Sequence, residues 1–451
     1  MADQIKTNLG PVTDNEGRKK VVRDVGSKGQ VALTKGVYAV VLLTEIGNVV
    51  MQNEDIYELY FVEDIYSFCM VGKIIFNDRY NFFENGPFTG QEKIALIYGR
   101  GESDKNMVFD IWKINRISQA GSGIRESNEQ IMEIQFVDPF YAALSLRRYS
   151  RSWQNERYSK IISDILNYMV FVQDGGFPLK VEESSNKTDF IIPYWTPKTA
   201  LNYLCRRAKG RRSGTSGYLV FNNTVNGLTT NAVSLNYLLL DVDKTLDKKP
   251  YRFQGSNISE SNKILEWWIS GLDRTSNPVL RGGKWRGYDF NTKSLLQTGY
   301  RYSDGVSKNV MLGRKTLYTK MNDVSSSSLI VGDNNTETLS DIAFNDWSKR
   351  YNMQFIMNLV VEGDEKRHAG QHIELEWPGI QGAEKMNDAL MGKYMIKSVT
   401  HSFKAGQTYP YKQRLVCIKN AYHNSKTKML YDAEVTNLYS QKTQPNIIRR
   451  N

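Results

Sequence analysis

Two separated stretches of the chain alternate apolar and polar residues at the two-residue period of a β-strand, and each closes on a strand rich in aromatic side chains. One runs from about Asp55 to Asp138, the other from about Gly370 to Tyr422. Short strands at near-regular spacing, punctuated by Gly and Asn turns, are the signature of sandwiches and barrels. No other feature limits the fold as strongly.

In the first block an apolar run, Val37 to Leu43, precedes Ile56 to Val62. Tyr66, Phe68, Met70, Gly72, Ile74 and Phe76 then share one face of a predicted strand, with Gly72 allowing a bend or close packing. After the turn signal Glu84-Asn85-Gly86-Pro87, Ile94, Leu96 and Tyr98 alternate with their neighbours. Val108 to Ile114 and Ile131 to Val137 follow, separated by Gly121-Ser122-Gly123. In the second block Ile373, Leu375 and Trp377 alternate, then Tyr394 and Ile396. Met395 to Phe403 is expected to pair with Tyr411 to Lys419 across a turn at Lys404 to Thr408.

Between the blocks the period changes. Tyr158, Ile161, Ile162, Ile165, Leu166, Met169 and Val172 recur at helical spacing. Thr196-Pro197 opens a second helix, Thr as cap and Pro at its first position, with Leu201, Leu204, Cys205 and Ala208 as its stripe. Strands are expected at Tyr218 to Phe221 and Val233 to Leu240. Ser259 to Leu272 reads as a third helix with Ile264, Leu265, Trp268, Ile269 and Leu272 inward. Thr338 to Tyr351 reads as a fourth, with Thr338 and Asp341 spaced as in a capping box. The fold class expected is therefore β-dominated α+β: two antiparallel β-barrel domains with helix-containing α+β domains between them.

At 451 residues the chain exceeds one domain at roughly 100 to 200 residues each. The expected division is a polar, basic N-terminal arm (1–34), a first barrel (35–145), a middle α+β region (146–330), a helix with the second barrel (331–425) and a polar tail (426–451). Only 11 Pro and 34 Gly argue against a disordered or fibrous chain. Aromatics at 12%, with 26 Tyr, suit pleated strands and large contact surfaces. Cys69, Cys205 and Cys417 have no paired spacing, so buried, reduced thiols are expected. No stretch approaches 18 uninterrupted apolar residues and the N-terminus has no apolar signal core, so folding in a cytoplasm is expected.

Chemistry is sparse. His368 and His372 stand four apart, but Ala369-Gly370 lies between them and a strand begins nearby, so turn or surface histidines are expected rather than metal ligands. His401 falls in a hairpin strand and His423 beyond it, both with structural roles. Gly214-Thr215-Ser216-Gly217 lacks the spacing of a nucleophile elbow, and no glycine-rich phosphate loop occurs. No enzymatic activity, cofactor or metal is expected. The net charge of +11 suggests attraction to polyanions. Its one dense cluster is Arg206, Arg207, Lys209, Arg211 and Arg212. That run either closes a helix at its negative dipole end or contacts an acidic partner or nucleic acid through phosphates. Trp267, beside the apolar stripe that holds Trp268, is the interface candidate.

In this order the blocks resemble the central hub proteins of contractile phage tails, a family that includes the T-even-like baseplate hub, the late control protein D and the type VI secretion spike protein VgrG. Three places carry the resemblance. The first is Ile134-Gln135-Phe136-Val137-Asp138-Pro139 followed by Ser159-Lys160-Ile161-Ile162-Ser163-Asp164-Ile165-Leu166. The second is Arg286-Gly287-Tyr288-Asp289-Phe290. The third is Gly392 to Phe403 with Tyr409 to Lys419, similar to the final hairpin of the second barrel. The resemblance covers residues 35–425 in arrangement; the loop from Gly382 to Met391 is longer than the family pattern. It implies a homotrimer whose six barrels form a pseudo-sixfold ring between a sixfold tail tube and a threefold central spike. Implied partners are the spike, the tube or its initiator, baseplate wedge proteins and DNA passing through the channel, in a virion tail baseplate assembled in the host cytoplasm. The alternatives are a receptor- or carbohydrate-binding virion protein and a tail-associated cell-wall hydrolase.

Overall fold

The computed structural model describes residues 12–13, 19–20, 37–44, 47–78, 90–99, 105–118, 130–170, 178–214, 217–225, 227–240, 247, 249–252, 262–270, 283–289, 293–300, 315–316, 327–331, 342, 344–346, 348–349, 352–353, 355–376, 390–404 and 409–422. Strands β1 (Val12–Thr13) and β2 (Lys19–Lys20) precede the first block, which consists of β3 (Val37–Thr44), β4 (Gly47–Met51), β5 (Ile56–Asp64), β6 (Val71–Asn77), β7 (Lys93–Gly99), β8 (Lys105–Ser118) and β9 (Gln130–Val137). These pair antiparallel in the order β5-β6-β9-β8-β7-β3-β4. Three strands separate β5 from β7 in that ladder, yet the rings of Phe61 and Tyr98 lie 5.5 Å apart. The sheet therefore curls round on itself, and one apolar core fills it, built on Val40, Leu42, Leu59, Phe61, Ile74 and Phe109.

The alternation expected from Tyr66 to Phe76 is strand only from Val71 onward. Asp64 redirects the chain: its carboxylate accepts the Tyr66 N–H (2.8 Å) and its carbonyl the Ser67 N–H (3.0 Å). Gly72 serves close packing. It pairs with both Phe61 and Phe136, and a Cβ there would stand 2.2 Å from the Phe136 ring and 2.7 Å from the Tyr60 carbonyl oxygen. Gly72→Ala is expected to destabilise the chain by about 1–3 kcal/mol through overpacking against backbone. Urea denaturation checks this, and a variant as stable as the parent would contradict the packing account.

The middle region contains α1 (Tyr141–Ser145), β10 (Tyr149–Arg157), α2 (Tyr158–Ile165, running into a π-turn at Leu166–Val170), β11 (Leu179–Val181), β12 (Lys187–Trp195), α3 (Pro197–Arg207), β13 (Tyr218–Asn223), β14 (Thr229–Ser234) and α4 (Leu235–Leu240). Thr196 caps α3 as its sequence predicts, its hydroxyl accepting the Thr199 N–H (3.3 Å). α2, α3 and the sheet β11-β14-β13 share a core that includes Ile161, Ile165, Leu201 and Leu204. The strand expected through Leu240 stops at Ser234, whose hydroxyl accepts the Tyr237 N–H (3.0 Å) and starts α4.

The remaining strands are β15 (Ile264–Ser270), β16 (Gly283–Asp289), β17 (Ser294–Tyr300), β18 (Lys315–Thr316), β19 (Ser327–Val331), β20 (Phe355–Glu362), β21 (His372–Leu375), β22 (Gly392–Phe403), β23 (Tyr411–Lys419) and β24 (Ala421–Tyr422). The helix expected over Ser259 to Leu272 is the strand β15, antiparallel to β20. A short apolar run with two Trp and two Ile fits either period, and the ladder with β20 decides it. The hairpin β22–β23 matches the expected pairing, Phe403 opposite Tyr411 and Met395 opposite Ile418. A second ring follows the order β15-β20-β23-β22-β21 and closes through residues 251–252: Tyr251 bridges Leu375, and Arg252 bridges Lys263 at the foot of β15. Met357, Leu359, Ile373, Ile396, Leu415 and Cys417 fill it. Of the helix expected over Thr338 to Tyr351, residues 342, 344–346 and 348–349 are described and helical. The turns at Glu84–Pro87 and Gly121–Gly123, Trp377, His423, most of the N-terminal arm and the whole C-terminal tail lie outside the described residues.

Candidate functional site: the seam between the two barrels

β5 and β22 pair antiparallel, Asp64 opposite Ser398 through Leu59 opposite Phe403. This ladder fuses the blocks into one sheet of 14 strands. At its end Lys397 reaches the Asp64 carboxylate (2.7 Å), and the Ile65 N–H donates to the Lys397 carbonyl (3.0 Å). β22 serves both cores. Tyr394 and Ile396 belong to the second; after the register shift between Ile396 and Ser398, Phe403 enters the first, its ring 5.3 Å from Tyr38 and 4.6 Å from Tyr411.

Polar residues occupy inward positions along this seam. Alternation on β5 puts Glu63 on the face of Leu59 and Phe61; alternation on β22 and β23 does the same for His401 and Gln413. Glu63 and His401 are fully buried. The Glu63 carboxylate accepts the Thr224 hydroxyl (2.6 Å) and the Ala369 N–H (3.0 Å), and lies 3.1 Å from His401 Nε2. His401 Nδ1 is 2.8 Å from the Tyr411 hydroxyl, to which Gln413 donates (2.9 Å), and its ring stacks on Phe61 at 4.2 Å. Burial alone would raise the Glu63 carboxyl, but the hydrogen bond and charge of His401, together with His368 and the Thr224 hydroxyl, hold the group below its ordinary value. One side chain of the first barrel thus binds the middle region and the second barrel together.

Two further buried groups tie the regions. Asp138, after β9, accepts the Met70 N–H (2.8 Å), the Phe140 N–H (3.2 Å) and the Asn222 amide of β13 (2.7 Å). Burial nevertheless pushes its carboxyl up to about 6. Arg367 is enclosed by Tyr251, Asn262, Gln413 and the Glu362 carbonyl.

A cleft of about 310 Å³ opens beside the network, between the β13–β14 hairpin and the turn at His368–Gly370. Gly370 holds φ of +87°, which aims that turn at Phe221 and Leu238. Burial, Lys105 and Lys180 among the causes, lowers the His368 imidazole to about 4. His368 and Asp138 set opposing pH dependences. His368 binds its proton less readily folded than unfolded, so stability is lost as pH falls from 6.5 towards 4; Asp138 binds its proton more readily, so stability is gained as pH falls from 6 towards 3.8. Each span corresponds to roughly 3 kcal/mol at most. Stability of the parent should therefore stay nearly level between pH 6 and 4.5, fall on acidification in Asp138→Asn, and rise in His368→Gln. Urea titrations across that range measure it; parallel profiles for all three proteins would refute the assignment.

No protein-family model matches the chain, and no curated protein matches it in sequence. Solved structures do match. A tail protein from Neisseria meningitidis superposes with a TM-score of 0.54 at 10% identity, over 85% of this chain and 96% of that one. The 43 kDa tail protein of prophage MuSo2 from Shewanella oneidensis gives 0.51 at 12% identity, over 85% of this chain and 98% of its own. The chain has a tail-protein fold. The resemblance carried by its sequence motifs is met at that level, along nearly the whole length of both structures.

The basic run does not form one face. Arg206 pairs with Asp346 (3.0 Å), and Arg211 with Glu183 (2.8 Å), a carboxylate that Arg157 also contacts. Arg207 is buried, its guanidinium 3.7 Å from the Tyr203 ring centre and donating to the Tyr203 carbonyl (3.1 Å). The Lys209 N–H donates to Asn186 (3.0 Å), and the Arg212 guanidinium lies 5.3 Å from the Tyr237 ring centre. On β15 both Trp267 and Trp268 are exposed, so the expected burial of Trp268 fails; Arg414 lies 4.7 Å from its ring centre. Of the histidines expected in turns or at the surface, His372 is fully buried at the start of β21 and His368 half-buried. All three cysteines are free and buried. Among the described residues no group of three His, Cys, Asp or Glu side chains is arranged to hold a metal, and no helix is long and apolar enough to cross a membrane. Of the seam residues, His401 was expected in a structural role and has one, while Glu63, Gln413 and Arg367 were missed. Glu63, His401 and Gln413 carried a signal, a polar side chain at an apolar position of an alternating strand.

Proposed function

We propose that this protein is a non-enzymatic structural hub of a contractile tail baseplate. In this reading three copies place six barrels in a pseudo-sixfold ring, which adapts a sixfold tail tube to a threefold spike and lines the channel for DNA. The β5–β22 ladder is the observation that carries it: two closed or curled β-units are joined edge to edge within one chain and locked by buried polar groups. A part that must hold two barrels at fixed spacing needs that rigidity, and sheet edges used in such a ring are covered by neighbours. Trp267 and Trp268, consecutive and both exposed, project from opposite faces of β15 and suit partner contacts there. Assembly with spike, tube and wedge proteins in a host cytoplasm, and location in the virion tail, follow from the same reading.

Light scattering coupled to size exclusion tests it, on the chain alone and after co-expression with a candidate spike protein. A mass near three times 51.8 kDa for the chain alone, or that mass plus the spike's own in the complex, is the expected result. A monomer under both conditions would defeat the hub assignment.

A further inference from the structure

The cleft beside the seam carries polar groups that the fold itself does not satisfy. Asn223 and Thr229 face each other across the tip of the β13–β14 hairpin, and His368 approaches from the second barrel. Asn223 Oδ1, Thr229 Oγ1 and His368 Nδ1 are all buried without a hydrogen-bond partner, and all three residues line the cleft. Buried polar atoms without partners are rare in folded proteins, and three at one cavity mark a place where something binds. The orientation of Asn223 is fixed: its amide nitrogen donates to the Ala369 carbonyl (3.1 Å), which leaves the carbonyl oxygen as an acceptor awaiting an N–H. That side chain is only 4% exposed.

The surroundings define the occupant. Phe221 and Leu238 supply an apolar wall. Lys180 also lines the cleft, lying 5.3 Å from the Tyr237 ring centre, over which Arg212 lies as well. Lys105 donates to the carbonyl of Val225, itself part of the lining (2.8 Å). Lys180 at the opening and Lys105 at its Val225 edge make this border cationic, while the Glu63 charge behind it is answered by His401. An acceptor for an N–H, a hydroxyl for a carbonyl, an apolar wall and a cationic rim complement a peptide backbone that carries an apolar and an acidic side chain.

We propose that this cleft receives a short extended segment of a neighbouring protein in which an acidic residue flanks an apolar one. Its backbone N–H meets Asn223, its carbonyl meets Thr229, and its carboxylate meets Lys180. The inference rests on the assembly reading for the source of the segment; the chemistry of the cleft does not.

Saturation-transfer NMR on the full chain, with the blocked dipeptide N-acetyl-leucyl-glutamate amide as probe and the leucyl-lysine amide as control, tests it. The glutamyl probe should receive saturation and the lysyl control little. Lys180→Met and Thr229→Val should each weaken the glutamyl probe about three- to tenfold, the equivalent of one hydrogen bond. Lys180 is exposed, so its variant is safe to fold and decides the matter if Thr229→Val is not. Equal saturation for both dipeptides, no saturation, or unchanged binding in the folded variants would overturn the proposal and leave the cleft to solvent. A trimer whose cleft ignores the probe refutes this inference alone; a chain that binds the probe yet stays monomeric both alone and with the spike refutes the hub and not the cleft.

Discussion

Glu63→Leu is expected to destabilise the protein by about 3–5 kcal/mol, the usual result of removing one member of a buried, hydrogen-bonded charge pair. The loss has three parts. His401 Nε2 is left facing a leucine, the Ala369 N–H loses its acceptor, and the Thr224 hydroxyl loses its own. Each stays buried, so each keeps its desolvation penalty without the bond that offsets it. The pH dependence has a definite sign. The folded Glu63 carboxyl lies below its unfolded value of 4.5, so its contribution is complete above that value and is lost as pH falls through the folded one. The double variant Glu63→Leu with His401→Phe should recover part of the loss, because apolar groups can replace a buried pair. Urea denaturation with hydrogen exchange at β5 and β22 reads both effects. A loss below about 1 kcal/mol, the size of an exposed ion pair, would show that the seam is not held by this network.

Strands were legible wherever one face met a core. β7, β9, β22 and β23 each carry an alternating set of core residues, which locates them within a few residues. Capped elements were legible too, because Thr196-Pro197 states its own boundary. The failures have physical causes. Ile264 to Ser270 places consecutive apolar residues on an exposed strand, so neither period is clean and the long-range ladder to β20 decides. The run Val233 to Leu240 is mostly apolar; Ser234 splits it by bonding the Tyr237 N–H, a local contact that outweighs strand propensity. The basic run reads as a patch only in one dimension; folding sends Arg207 inward and Arg206 and Arg211 to separate carboxylates.

The seam was the hardest part to see. Glu63 and His401 are separated by 338 positions, and only the β5–β22 ladder brings them together. Each on its own looks like an ordinary strand residue. Polar atoms at the inward positions of three neighbouring strands make sense once those strands are known to be adjacent, since a carboxylate there demands a partner and the partner fixes the register. One consequence bears on assembly. In the hub we propose, two barrels must hold a constant spacing, so the joint between them must resist sliding, and a slip of one residue along β5–β22 would break every contact of Glu63 at once.

Arg367→Met is expected to cost a similar amount, about 3–5 kcal/mol, through a different failure. The Arg367 guanidinium, almost wholly buried, donates to the Tyr251 hydroxyl (2.6 Å), the Glu362 carbonyl (2.6 Å), Gln413 (2.8 Å) and Asn262 (3.2 Å). Tyr251 is half of the two-residue bridge that closes the second ring between β21 and β15, and the Asn262 carbonyl accepts the N–H of the other half, Arg252 (3.3 Å). Without the guanidinium their polar atoms stay buried and the bridge loses its anchor, so the ring should open there first. Amide exchange at Tyr251 and Ile264, which donate to Glu374 and Arg252, should accelerate well before exchange in β22 or β23. Arg367→Lys should rescue little, because one ammonium cannot reproduce a planar fork with four separate acceptors. Uniform acceleration across the whole second ring, or full rescue by lysine, would show that Arg367 acts only as buried charge and that the ring does not depend on this closure.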